Sequence, residues 1–334
     1  MSDTALHQPH DKLFRATFSQ PKNACAFLRC HLPHDIGALL SWDTLVAKCP
    51  RYTDTNYAAF ESDLAYTARF HGSTRELIIL LEHQRAQHPA LLLRFLGYVT
   101  RTWERFVRAN PSSHLPPVLC MVVAQSGSPW AGPENLAHLV EICPEAELAL
   151  RQYQPSLGIH ALDLFQTPYH RLKGTPDGTL TLRALKAQPV GELLSDAVWD
   201  QSLICKLSAH AEEMFLRYVL HAEDNRAAVL ARAEKVRSKS FLTNAMTIAQ
   251  QLIEEGRVEG RVEGRVEGRE EGRKEGGILG RQQSILLCLE IRFGELPDNI
   301  RSQITAVKSI AKLESILSTA IHSSSLEQIA LSLR

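Results

Sequence analysis

The sequence lacks net charge, paired cysteines, any long apolar run and the common phosphate-loop and hydrolase motifs. Its 37 Lys and Arg are balanced by 37 Asp and Glu. The whole chain therefore carries none of the positive excess that marks many nucleic-acid binders. The balance is uneven locally: residues 1–130 hold 13 Lys and Arg against 10 Asp and Glu, a net of +3. The seven cysteines are odd in number, scattered and never spaced C-x-x-C. That argues against a disulfide framework and fits reduced thiols in a cytosolic protein. Cys30, His31 and His34 stand close together, but no second ligand pair accompanies them, so a zinc site is not expected. No stretch approaches the ~20 apolar residues of a membrane-spanning helix. The opening "MSDTALHQPHDKLFRATF" has no apolar signal core. The expectation is a cytoplasmic protein with no membrane partner. The motifs G-x-x-x-x-G-K-[ST], G-x-S-x-G and G-x-G-x-x-G do not occur, which removes the usual fingerprints of P-loop, α/β-hydrolase and dinucleotide chemistry. No D-D-E transposase core is legible.

What is present is a chain of 334 residues, 44% apolar, with periodic segments suited to a real core. Asp11 to Leu32 reads as two helices separated at Pro21, with Leu13, Phe14, Phe18, Phe27 and Leu28 as the apolar stripe. Ala59–Phe70 and Arg75–Gln84 read as strands joined by a turn at "HGST". A long helix follows over Pro89–Ala109, with proline at its favoured first turn. "PPVLCMVVAQ" and "IHALDLF" read as further strands, and residues 190–250 as helices. Strand pair, helix, strand is a mixed α/β order.

Glu255 to Gly277 is a four-residue repeat, "EGRVEGRVEGRVEGREEGRKEGG". In a helix it stacks Glu on Glu and Arg on Arg at i, i+4, and places opposite charges two apart, where they do not face each other. Each glycine costs about 1 kcal/mol relative to alanine. A flexible, solvated linker is the expectation. The alternative is a glycine stripe on which two helices approach, with charges paired between chains. Helical periodicity resumes over residues 278–334 as a small helical module.

The stretch "LIILLEHQ" (Leu77–Gln84) carries the strongest chemical signal. Five apolar residues fit a strand buried on both faces, a poor place for an unpaired carboxylate. Alternation puts Glu82 and Gln84 on one face and His83 on the other. In the proposed hairpin Asp63 and Glu82 can meet across the ladder, and two such carboxylates invite a cation between them. Carboxylate, amide oxygen and backbone carbonyl are hard ligands suited to Mg²⁺ or Mn²⁺. Spacing alone also fits the simpler reading, in which Glu82 and Gln84 sit exposed past the strand's end. On the next helix, Arg94, Arg101, Arg105 and Arg108 fall within roughly a 60° arc, opposite Leu92, Phe95, Leu96, Val99, Trp103 and Phe106. That stripe fits either phosphate binding or a solvated helix face.

Four ordered motifs, "HDKLFRATFSQPKNACAFLRCHLP", "ESDLAY", "IILLEHQ" and "LLLRFLGYVTRTWERF", resemble those of the Rpn family of bacterial recombination-promoting nucleases, also labelled transposases. "SPWAGPENLAHLV", "ALDLF" and the repeat with its "RFGELP" tail are similar to later segments of that family. The family is placed in the PD-(D/E)XK nuclease superfamily. The resemblance implies an α/β restriction-endonuclease-like core, a mixed β-sheet flanked by helices, with a helical C-terminal region. It implies Mg²⁺-dependent DNA cleavage, with Mn²⁺ or Ca²⁺ able to substitute in binding. Carried over, Asp63 and Glu82 are the metal ligands, and Asp63, Glu82 and Gln84 the catalytic set. Gln84 stands where the superfamily usually has lysine, and glutamine supplies no positive charge. Transition-state charge would then rest on the metal and on nearby arginines. Asp11 is an additional site candidate, and Arg94, Arg101, Arg105 and Arg108 are the DNA-binding candidates. After "VLCMVVA" the chain has "QSG" where a Tyr-His-Gly is common in the family, which speaks against a site role for Gln125 or Ser126. The expected division is a nuclease core over 1–190, a helical extension over 191–254, the repeat over 255–277 and the module over 278–334. DNA is the expected partner, and association with further copies of the chain is also carried as an expectation. A DNA-binding or assembly protein of the same fold without cleavage, or a mobile-element component, is the alternative function.

Overall fold

The computed structural model describes residues 9–48, 51–53, 59–61, 64–86, 88, 90–111, 113–323 and 325–332. Two helices open the chain, α1 (Pro9–Phe18) and α2 (Pro21–His31), and Pro21 begins the second at its first turn, as the periodicity predicts. Phe14, Phe18 and Phe27 are fully buried, each contributing roughly 1.5–3 kcal/mol by removal from water. A short α3 (His34–Gly37) leads into β1 (Leu40–Lys48). Then come β2 (Arg51–Thr53), β3 (Ala59–Glu61), β4 (Leu64–Phe70) and β5 (Glu76–Gln84). The segment expected as one strand from Ala59 is thus two. Its first part pairs with β2 in a separate two-stranded ladder, and only β4 enters the main sheet. The β4–β5 turn is made by Gly72 at φ +66°, a left-handed conformation that glycine adopts without strain.

The helix α4 (Leu91–Ala109) follows β5, then β6 (Val118–Ala124), a short α5 (Glu147–Leu150) and β7 (Ile159–Asp163). The five-stranded order is β1-β4-β5-β6-β7, antiparallel from β1 to β5 and parallel from β5 to β7. The fold is mixed α/β with helices on both faces of the sheet. That explains the unbroken apolar run of β5. Leu77, Ile79 and Leu81 belong to the core shared with α1 and α2, and Leu80 to the core shared with Leu91, Leu92 and Phe95 of α4. Three elements then close the first core: α6 (Pro176–Ala187), a short α7 (Gln201–Ile204) and α8 (Ala209–Ala222). Thr175 caps α6 by accepting from the Gly178 amide. The helix α9 (Arg226–Lys235) contributes Val229 and Ala233 to the same core.

The longest element is α10 (Lys239–Phe293). The repeat, expected as a flexible linker, is helical along its whole length. The flanks account for this. Phe241, Ala245, Ile248 and Ala249 on one side, and Ile285 and Leu289 on the other, are buried helical residues. The repeat only propagates helices nucleated by packing, and propagation costs far less than nucleation. Arg257 also pairs with Glu254 at 2.6 Å, three residues back and outside the repeat's own charge register. An added Cβ at Gly260, Gly264 or Gly268 meets nothing within 4 Å. Converting these three to alanine should therefore stabilise the helix by roughly 0.5–1 kcal/mol each. Amide exchange across 255–277 should slow in the variant. An unchanged, fast exchange in both proteins would show that the segment is not helical in solution.

The chain divides into units over Met1–Leu252 and Ile253–Arg334. The second has its own core, built from Ile285, Leu289, Leu296, Ile300, Ile304, Leu313, Ile316, Ala320 and Ile329. These come from the end of α10 and from α11 (Asp298–Ala306), α12 (Ile310–His322) and α13 (Leu326–Ser332). Gln282 donates to the carbonyls of Thr305 and Val307, at 2.9 Å each, satisfying the exposed end of α11.

Candidate functional site

The C-terminal end of β5 carries different chemistry on its two faces. Pairing with β6 continues to its last residue, with Glu82 beside Val122 and Gln84 beside Ala124, and the Gln125 amide donates to the Gln84 carbonyl at 2.7 Å. Glu82 is therefore inside the sheet and only 2% exposed, so the reading of an exposed strand end is overturned. Its carboxylate faces α4. Gln84 Nε2 donates to Glu82 Oε2 at 3.0 Å, and Arg94 Nη2 donates to the same oxygen. The Tyr98 hydroxyl lies within interaction range of both Glu82 and Arg94. Burial and then the Glu82 charge push the Tyr98 phenol up to about 12, and the same two causes push the Cys120 thiol up to about 12. Burial opposes the charge on Arg94, but Glu82 outweighs it and leaves the guanidinium above its ordinary value. Arg94 Nε is buried and makes no hydrogen bond.

On the opposite face His83 is 3% exposed and held at both ring nitrogens. Its Nδ1 donates to Asp11 Oδ1 at 2.6 Å, and its Nε2 lies 2.8 Å from Gln125 Oε1. The ring stacks on Phe14 with centroids 5.2 Å apart. Gln125 Nε2 continues the chain to His10 Nδ1 at 3.3 Å, and that nitrogen also meets the Tyr218 hydroxyl at 2.9 Å. This network ties β5 and β6 to α1 and α8.

Burial first, then Arg85 and His83, lower the His10 pKa from 6.5 to about 4. The unfolded chain takes up this proton below pH ~6.5, whereas the fold resists it until pH ~4, so the unfolded state binds more protons in that window. Stability should be full above pH ~6.5 and fall by up to ~3 kcal/mol as pH drops towards 4. Denaturant unfolding at pH 7 and pH 4.5 measures the difference, and His10→Gln should shrink it. His31, whose pKa burial also lowers, contributes in the same direction and leaves a residual slope. A slope untouched in His10→Gln would refute the assignment.

Of the residues proposed from sequence, Glu82, Gln84 and Arg94 converge. Asp63 lies outside the described residues; its neighbour Leu64 pairs with Leu81, the residue before Glu82. Asp11 is on the other face, engaged with His83. Arg101 is half-buried, and Arg105 and Arg108 are exposed. Tyr98, four residues beyond Arg94, is buried, so at that end the arginine stripe borders the packed face and is not opposite it. Gln125, His10 and Tyr218 were not legible as partners. They are separated by up to 208 residues, and no local pattern announces such contacts. Among the described residues no group of three or more His, Cys, Asp or Glu is poised around a metal. Glu82 and Gln84 still offer a carboxylate and a carboxamide oxygen on one strand face, donors of the hardness that Mg²⁺ takes. No described helix is long and apolar enough to cross a membrane.

Recombination-promoting nuclease RpnD of Escherichia coli O157:H7 is 25% identical over 134 residues, 39% of this chain and 52% of the relative. Recombination-promoting nuclease RpnA of Escherichia coli K12 is 28% identical over 110 residues, 33% of this chain and 38% of the relative. A protein named inactive recombination-promoting nuclease-like protein RpnE, also from K12, is 24% identical over 105 residues, 31% and 35% of the two chains. The chain thus spans about half the length of RpnD and less of the other two. No solved structure matches. The family model described as "Putative transposase, YhgA-like" matches residues 8–210, from α1 to the start of α8. A match over more than half of the chain, including both faces of β5, makes this protein a member of that YhgA-like family.

Proposed function

We propose that this protein is a metal-dependent DNA endonuclease, with Glu82 and Gln84 at its centre and Asp63 as the second acid. The observation that carries the reading is the convergence of Glu82, Gln84 and Arg94 at the end of a buried strand, in a family whose relatives include named nucleases. Asp63, Glu82 and Gln84 would hold a Mg²⁺ ion, which when bound supplies water activation and stabilisation of the leaving oxygen. The chain's own residues do the rest. Glu82 concentrates negative charge in a buried, low-dielectric position, where it acts more strongly than in water. Gln84 orients that carboxylate through its amide. Arg94, Arg101, Arg105 and Arg108 supply positive charge for DNA phosphates along one side of α4. Residues 1–190 are assigned as the nuclease core, 191–254 as its helical extension, and 278–334 as a module reached through the repeat. Cleavage of supercoiled plasmid with Mg²⁺ and with EDTA tests the reading.

A second reading, DNA binding without cleavage, is favoured by one observation: Arg94 already neutralises Glu82. Duplex binding without Mg²⁺-dependent cutting would support it and reject the first.

A further inference from the structure

We propose that Arg94 is a cation stand-in: its guanidinium occupies Glu82 in the metal-free protein and turns to a DNA phosphate when a divalent cation takes its place. The inference rests on the metal-dependent reading above and adds a coupling between metal and DNA.

Three features of the site support it. Glu82 is 2% exposed and Gln84 is neutral, and among the described residues Arg94 is the cation paired with this carboxylate. The contact is end-on. Arg94 uses one nitrogen, Nη2, on the oxygen that also receives Gln84 Nε2, and its Nε is buried without a partner. A settled structural pair between arginine and a carboxylate is commonly a two-bond fork, and a buried N–H left unpaired is a cost that rearrangement relieves. The side chain is also 35% exposed, whereas the Glu82 side chain is 2% exposed. The guanidinium therefore reaches in from the surface and has a way out. Arg101, Arg105 and Arg108 follow on the same helix, seven, eleven and fourteen residues on, so an outward turn brings Arg94 into line with a basic stripe.

A dication and a guanidinium on one buried carboxylate compete for it, because like charges at that distance repel strongly away from bulk water. Arg94 must then lower the affinity for metal. DNA, by drawing Arg94 to a phosphate, must raise it, and metal must raise the affinity for DNA by the same factor. Such a device would keep the site closed to stray cations until substrate arrives.

The test is Mn²⁺ binding by the full chain, followed by calorimetry and by the electron paramagnetic resonance of free Mn²⁺. Arg94→Gln should bind Mn²⁺ about tenfold tighter than wild type without DNA, and Arg94→Lys should fall between. A non-cleavable phosphorothioate duplex should tighten Mn²⁺ binding about tenfold in wild type and leave Arg94→Gln unchanged. Glu82→Gln should lose the site. Equal or weaker Mn²⁺ binding by Arg94→Gln, with loss in Glu82→Gln, overturns the stand-in and leaves the metal reading intact. Absence of any Glu82-dependent Mn²⁺ binding overturns both. Should Arg94→Gln fail to fold, the wild-type Arg94 Nε–H resonance, assigned by its loss in Arg94→Lys, takes over as the readout. It must move on saturation with Mg²⁺, and a resonance that stays put overturns the proposal.

Discussion

Replacing Glu82 with glutamine should lower Mg²⁺-dependent plasmid cleavage by about a hundredfold or more, in a protein that remains folded. The two residues have nearly the same shape, and a carboxamide oxygen can still accept from Arg94 and Gln84. What is removed is the negative charge, which in this reading holds the cation. Arg94 is partly exposed and can turn to water, so loss of its partner's charge should cost only about 1–2 kcal/mol, less than breaking a fully buried pair. Nicking of supercoiled plasmid gives the rate, and thermal melting gives the stability. A variant that cuts at the wild-type rate would remove Glu82 from the chemistry. A variant that is inactive because it is unfolded would show in the melt.

His83→Ala should produce the largest loss of stability of any single change at this end of the sheet, about 3–5 kcal/mol. The side chain is fully buried, is hydrogen-bonded to Asp11 at 2.6 Å and to Gln125 at 2.8 Å, and stacks on Phe14. Truncation leaves a carboxylate and a carboxamide without their partner and a void beneath an aromatic ring. Asp11→Asn should cost less. Its side chain is 27% exposed, and the amide retains an oxygen for His83. Denaturant unfolding ranks the two. If His83→Ala loses no more than Asp11→Asn, the network does not anchor β5 to α1. Cleavage should fall in His83→Ala only as far as folding does, because His83 faces away from Glu82.

Much of the fold was legible because it is written in local periodicity. Pro21 separates α1 from α2, the alternating and continuous apolar runs announce β4, β5, β6 and β7, and the amphipathic pattern of α4 places Leu92, Phe95 and Val99 inside. The strand β1 was not legible. Its residues alternate between buried and exposed irregularly, with Val46 half exposed, and its ladder to β4 shifts register between Ser41 and Val46. The helix α6 also escaped, although Thr175 and Pro176 form a standard start signal. The repeat went the other way. Its glycines and mismatched charges predict a flexible linker, and packing of both flanks overrides that preference to give a continuous helix.

By itself the sequence determined that Glu82 and Gln84 share a face, because side chains alternate along any strand, and it determined the family through motifs that lie in order along the chain. Only the tertiary structure decided what those side chains meet. Arg94 is twelve residues from Glu82, Gln125 is forty-two from His83, and Tyr218 is 208 from His10. These encounters depend on which helix covers which face of the sheet, and that is settled by long-range burial of apolar surface, a force without direction that no short stretch of sequence encodes.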